Sequence, residues 1–159
     1  MISKDDHRLT THEFAGNLPS LECLRSFVVV AAVPVMDSLR NETSTNGKFN
    51  IPEYGTVEDP EQFAALLAYS PYHNVVDGTA YPAVLLTAGE HDSRVDAWHA
   101  KKMTARLQQA TSSDRPVLLR LKPGGHLAGP LDRVIDEATD WYAFLFHQVG
   151  LGYRPVAPA

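Results

Sequence analysis

The sequence of 159 residues contains a single cysteine, Cys23. No internal disulfide can form, and no zinc cage can be built from thiolates. A lone cysteine of this kind is read as a small buried apolar side chain. No apolar run approaches the ~20 residues of a membrane span. The N-terminus, MISKDDHRLTTHEF, has no apolar segment like that of a signal peptide, so a soluble, cytoplasmic chain is expected. Lys and Arg nowhere cluster and the formal net charge is −5, which speaks against a nucleic-acid surface. The phosphate-cradling spacings G-x-x-x-x-G-K-[ST] and G-x-G-x-x-G are both absent. There are no internal repeats and no low-complexity block. The length fits one domain.

What is present is an alternation of two hydrophobic patterns. Residues 27–33, FVVVAAV, are uninterrupted and rich in β-branched side chains, the pattern of a strand buried on both faces. Pro34 ends it, and residues 35–39 read as a turn. Residues 40–60 carry Asn41, Asn46, Gly47, Asn50, Pro52, Gly55 and Pro60, a density of breakers that predicts an irregular excursion. Asp59-Pro60-Glu61 then opens a helix, with Asp as N-cap and Pro at the first helical position; it is expected to run to about Ala68. A short apolar run from Ala83 to Leu86 reads as a buried strand. It is followed by a helix over residues 96–110 with Ala97, Ala100, Met103, Leu107 and Ala110 on one face. Val117 to Leu121 predicts a third strand. The last helix carries Leu131, Val134, Ile135, Ala138, Trp141, Tyr142, Leu145 and Val149 at helical spacing, with Gly150 as its cap. Residues 1–26 match no clear pattern and read as loose helix or disorder; 152–159 reads as a flexible tail. Strands alternating with helices imply an α/β fold with a parallel sheet.

The chemistry-bearing residues gather after the second and third strands. Glu90-His91-Asp92-Ser93-Arg94 follows one, and Gly124-Gly125-His126 follows the other. Taken alone, Asp92 fits a cap for the next helix or a local partner for Arg94, and His126 fits a tight structural turn. Taken together, parallel strands bring both loops to one sheet edge. A carboxylate on one imidazole nitrogen fixes the tautomer and frees the other nitrogen as a base. Asp before His is also the chain order of the last two members of an α/β-hydrolase triad. The nucleophile elbow G-x-S-x-G is absent: none of Ser3, Ser20, Ser26, Ser38, Ser44 and Ser70 has glycines two residues to either side. A metal reading draws on His91, Asp92, His99 and His126, but no His-x-x-x-His pair supports it, and neither metal nor cofactor is expected.

Five segments, AAVPVMDSLR (31–40), PEYG (52–55), DPEQFAALLAYSPYHNV (59–75), YPAVLLTAGEHDSRV (81–95) and GGHLAG (124–129), occur in an order and spacing that resembles the C-terminal part of the prolyl oligopeptidase catalytic domain. The resemblance implies a partial α/β-hydrolase fold lacking the N-terminal half of the domain, and a serine-type peptidase acting on short peptides. By that resemblance Asp92 is the triad acid and His126 the triad base. Arg94 holds a substrate carbonyl, Val35 and Val95 wall the proline pocket, and Tyr54 supports the oxyanion. Asn50 stands near the position of the family's pocket tryptophan. The family's serine elbow would fall near Leu9-Thr10, where DDHRLTTHE does not match it. A truncated or frameshifted reading frame, inactive by itself, is the expectation. An exposed sheet edge would then invite self-association, and a non-catalytic interaction module or a piece of an esterase or aminopeptidase are the alternatives.

Overall fold

The computed structural model describes residues 28–126 and 129–152. The N-terminal segment 1–26 with Cys23, Phe27, residues 127–128 of the glycine-rich loop, and the tail from Tyr153 onward lie outside the described residues.

Three strands, β1 (Val28–Ala32), β2 (Ala83–Gly89) and β3 (Val117–Lys122), pair in the order β1-β2-β3. Both pairings are parallel, with Val29 opposite Val84 and Val84 opposite Val117. Side chains alternate across a strand, so this register sorts them onto two faces. Val29, Ala31, Val84, Leu86, Ala88 and Val117 form one core with helix α3 (Trp98–Ala110), which contributes Ala100, Met103, Leu107 and Ala110. Val28, Val30, Ala83 and Leu85 face the other way, onto Trp141 and Phe144 of helix α4 (Leu131–Gln148). Every residue of β2 is buried. It is the central strand, covered on both faces, and the expected strand over Ala83–Leu86 extends to Gly89.

Between β1 and β2 the excursion is more ordered than a count of breakers suggests. It contains 3-10 turns at Asn41–Thr43 and Gly47–Asn50, then a one-turn helix α1 (Ile51–Tyr54). Helix α2 (Pro60–Tyr69) starts as its sequence dictates. Asp59 Oδ1 accepts the Glu61 and Gln62 N–H groups at 3.0 and 2.9 Å, satisfying donors the first turn leaves orphaned. Its last turn is closed by Asn74, whose amide donates to the Leu67, Ala68 and Ser70 carbonyls.

One expectation needs correction: β1 is not buried on both faces, since Val28 and Val30 are half-buried and Ala32 is exposed. Among the described residues it is an outer strand, and Trp141 and Phe144 of α4 pack on its inner face. Most apolar side chains of α4 lie outside the core. Leu131 is 73% and Tyr142 58% exposed, and Ile135, Phe146 and Val149 are also exposed. One stripe of the helix meets the sheet, with Lys122–Glu137 and Arg120–Asp140 ion pairs tying it to β3. The second stripe faces outward. Gly150 does end the helix. At φ 73° its N–H reaches the His147 carbonyl while the Leu151 N–H reaches Phe146, the paired bonds of a Schellman cap.

The turn after β1 is held by a buried polar cluster. His99, fully buried in α3, accepts the Met36 and Asp37 N–H groups on Nδ1 at 3.3 and 3.1 Å. Asp37 pairs with Lys102 and takes the Arg40 N–H. Ser70 Oγ accepts the Ser38 N–H at 3.0 Å and bonds His73 at 2.8 Å, while the Tyr72 N–H donates to the Met36 carbonyl. Lys102 also sits 4.2 Å from the Tyr72 ring centre, a cation–π contact. Burial drives the His99 imidazole down to about 4, aided by Lys102 and opposed by Asp37 and Asp96. Burial raises Asp37, but the Lys102 hydrogen bond, the Arg40 N–H and the nearby charges of Lys102 and His73 outweigh it and hold its carboxyl below the ordinary value.

Both shifts destabilise the fold in acid. Unfolded His99 binds a proton near pH 6.5 and folded His99 only near 4. Its contribution is therefore complete above pH 6.5, amounts to about 3 kcal/mol, and is lost as pH falls toward 4. Urea midpoints measured from pH 7.5 to 4 should fall steadily below pH 6.5. The His99→Asn variant should show a shallower slope over the same window, and an unchanged slope would contradict this assignment.

Candidate active site

The C-terminal ends of parallel strands share one edge, and both chemistry-bearing loops leave from it. The β2 loop begins at Glu90 and the β3 loop at Pro123. They are stitched together by backbone bonds, Glu90 N–H to the Lys122 carbonyl at 3.0 Å and His91 N–H to Gly124 at 2.9 Å. Gly89 makes this approach feasible. A Cβ there would lie 2.6 Å from the Gly125 carbonyl oxygen and 2.8 Å from that of Gly124.

Asp92 and His126 meet. The buried Asp92 carboxylate divides its work between its two oxygens. Oδ1 accepts the Arg94 and Val95 N–H groups at 2.8 and 3.0 Å, which shapes its own loop. Oδ2 lies 2.9 Å from His126 Nδ1. The local reading of Asp92 and the long-range one are therefore both true, on different atoms. A carboxylate only accepts, so Nδ1 carries the proton and Nε2 has its lone pair outward. The His126 side chain is 30% exposed and Nε2 has no hydrogen-bond partner among the described residues. The pair can orient an imidazole and take a proton at its outer nitrogen.

The remaining predicted residues differ in exposure. Val95 is half-buried and Arg94 exposed beside Asp92; Arg94 has no ion-pair partner among the described residues. Val35 follows β1 at the same edge and is partly exposed. Tyr54 is exposed on α1. The excursion that carries it is tied back to the edge by Asp96, which accepts the Thr45 N–H at 2.8 Å and hydroxyl at 2.9 Å. The four residues of the metal reading do not converge: His99 is turned into the core toward Met36 and Asp37, away from the Asp92–His126 contact. Among the described residues no group of three or more His, Cys, Asp or Glu is placed to hold a metal ion. His99 was legible in a different way. It sits four and eight residues before Met103 and Leu107, so the helical period puts it on the buried face of α3.

Replacing Gly89 tests how the two loops depend on one another. Gly89→Ala should force the β2 end and the glycine-rich loop apart, since the clash is with backbone oxygens that have no rotamer to yield. A loss of about 1–3 kcal/mol is expected, with the Asp92–His126 hydrogen bond broken. The downfield Nδ1 proton resonance of a carboxylate-bound imidazole should be present in the unsubstituted chain and missing in the variant.

The fold and this edge have counterparts among known proteins. Residues 27–152 match the model of the prolyl oligopeptidase family. A prolyl endopeptidase from Elizabethkingia meningoseptica is 37% identical over 127 residues, covering 78% of this chain and 18% of the relative. One from Dictyostelium discoideum is 39% identical over 121 residues, covering 73% of this chain and 16% of the relative. A solved prolyl endopeptidase superposes with a TM-score of 0.75 at 41% identity, over 79% of this chain and 19% of that one. Prolyl oligopeptidase B from Galerina marginata, bound to a 35-residue hydrolysis and macrocyclization substrate, gives 0.76 at 29% identity, over 83% and 20%. The chain thus spans about a fifth of the length of these relatives, and its parallel sheet with flanking helices matches part of their α/β-hydrolase domain. This chain belongs to the prolyl oligopeptidase family.

Proposed function

We propose that this chain is the acid-and-base part of a serine-type peptidase that cleaves short peptides after proline. The observation that carries the reading is the 2.9 Å contact between a buried Asp92 carboxylate and His126 Nδ1 at the sheet edge where the loops meet. In this mechanism His126 Nε2 takes the proton of a serine hydroxyl as the serine attacks the peptide carbonyl. It then gives that proton to the leaving amine. Asp92 holds the ring in the required tautomer and stabilises the imidazolium that forms. Arg94 suits a substrate carbonyl, because a guanidinium is always charged and presents several fixed donors. Val35 and Val95 offer apolar walls for a proline ring, and the Tyr54 hydroxyl is a donor for a developing oxyanion. The nucleophile is the missing part: no G-x-S-x-G occurs in the sequence, so the isolated chain is inactive.

A chimera tests the reading. Residues 27–152 replace the matching segment of a full-length prolyl endopeptidase that supplies the serine and the rest of the sheet. The chimera should hydrolyse a blocked glycyl-prolyl substrate, and the isolated chain should not. Asp92→Asn in the chimera should lower kcat by about 10⁴ through the wrong tautomer, and His126→Ala should be equally damaging. A folded chimera that cleaves an aryl ester but no prolyl peptide would move the assignment to an esterase.

Self-association is a second reading, favoured by the edge of β1, which is outermost among the described residues, and by the exposed apolar stripe of α4. An unpaired strand edge offers a row of donors and acceptors to another chain. Sedimentation at micromolar concentration should show a dimer or larger species, which Ile135→Lys together with Phe146→Lys disperses. A monomer in the unsubstituted chain would reject this reading.

A further inference from the structure

We propose that His99 is a positioning residue for the substrate pocket: by accepting two backbone N–H groups it fixes the turn carrying Val35 against the turn carrying Val95. The proposal rests on the peptidase reading of this edge.

Val35 leaves the end of β1 and Val95 the loop after β2, and these strands are parallel neighbours. The sheet thus joins the two walls at their roots. His99 joins them again further out. It lies in the first turn of α3, four residues after Val95, and its Nδ1 receives both N–H groups that directly follow Val35, those of Met36 and Asp37.

The backbone shows why such a clamp is needed. Val33 has φ 50°, a left-handed conformation that a β-branched residue adopts only under constraint. Pro34 follows it and has no N–H to donate. A strained turn persists only when its surroundings over-determine it. On the strand side, the Val33 N–H is held by the Thr87 carbonyl at 2.9 Å. On the far side, the holders are His99, Ser70 and Tyr72. Two side chains of α3, the element that starts from the Val95 turn, reach this far side: Lys102 holds the Asp37 side chain, and His99 receives the backbone N–H groups.

The ring is set up as an acceptor. Nδ1 accepts two bonds, so the proton resides on Nε2, and Nε2 is buried without a hydrogen-bond partner among the described residues. The ring is held flat against Trp98, with centroids 3.8 Å apart, which fixes the direction of the accepting lone pair. Asp96, in the same turn, holds Thr45 of the excursion. Residues 95–99 therefore anchor the proposed pocket wall and the segment bearing Asn50 and Tyr54.

The test uses the purified chain labelled with ¹⁵N. The probe is N-benzyloxycarbonyl-glycyl-proline, with binding read from amide shifts. His99→Phe keeps the ring and removes the acceptor, whereas His99→Asn returns an acceptor at nearly the place of Nδ1. The Phe variant should exchange its Met36 and Asp37 amide protons at least about ten-fold faster, with Leu85 and Leu86 unchanged, and should bind the probe about ten-fold more weakly. The Asn variant should recover most of both. Probe binding that the Phe variant leaves intact overturns the positioning role, as does a uniform rise in exchange across the sheet. Absence of binding by the unsubstituted chain overturns the pocket reading, and the positioning role with it. Should the Phe variant fail to fold, a through-hydrogen-bond coupling from the Met36 or Asp37 amide nitrogen to His99 Nδ1 decides the clamp. Its absence in the unsubstituted chain removes the basis of the proposal.

Discussion

A strand bonded to parallel partners on both sides, with a helix over each face, cannot slip by one residue without turning its whole apolar set inside out. β2 is in that position, and the geometry of this chain follows from it. Parallel pairing requires each connection to return to the same starting edge, so the segments leaving β1, β2 and β3 all emerge together at the other. Asp92 and His126, far apart in sequence, are brought within 2.9 Å by that rule together with one small residue. Gly89 allows the glycine-rich loop to lie directly on the end of the strand.

Two polar arrangements depend on this frame and differ in kind. The Asp92–His126 pair is half open, with one imidazole nitrogen held and the other facing out. The cluster of Asp37, Lys102, His99, Ser70 and His73 is closed, with its groups satisfied largely by one another or by backbone. A closed network in a low-dielectric interior favours one arrangement strongly, because a broken member leaves a buried group unmatched. The segment YSPYHN, prominent in the sequence, belongs to this second arrangement. Ser70, Tyr72 and His73 brace the turn after β1, and Asn74 closes α2. Its place is in the scaffold of the site.

Helix α4 shows where a correct local reading stops. Its boundaries and its glycine cap were legible, since both depend on residues close in sequence. Its burial was not. Apolar spacing says that a face will be covered, but the amount of covering surface belongs to other elements. Here one stripe meets β1 and β2, and the second has no cover among the described residues. β1 illustrates the same limit: an unbroken apolar run reads as doubly buried, yet an outer strand receives only part of a helix. His99 is a third case. From the sequence it is named only as a candidate ligand, although the period that puts Met103 and Leu107 on the buried face of α3 puts His99 there too.

By itself, the sequence determined the alternation of strands and helices, the caps at Asp59 and Gly150, and the order of acid before base. Each is a short-range property, set by backbone preference, side-chain period or the spacing of a few residues. The tertiary structure decided which atoms meet: that Asp92 serves its own loop with one oxygen and His126 with the other, and that His99 turns inward to two amides. It also decided that half of α4 stays outside the core. These outcomes depend on register, on the crossing of elements distant in sequence and on the direction of single lone pairs, none of which a local pattern of residues contains.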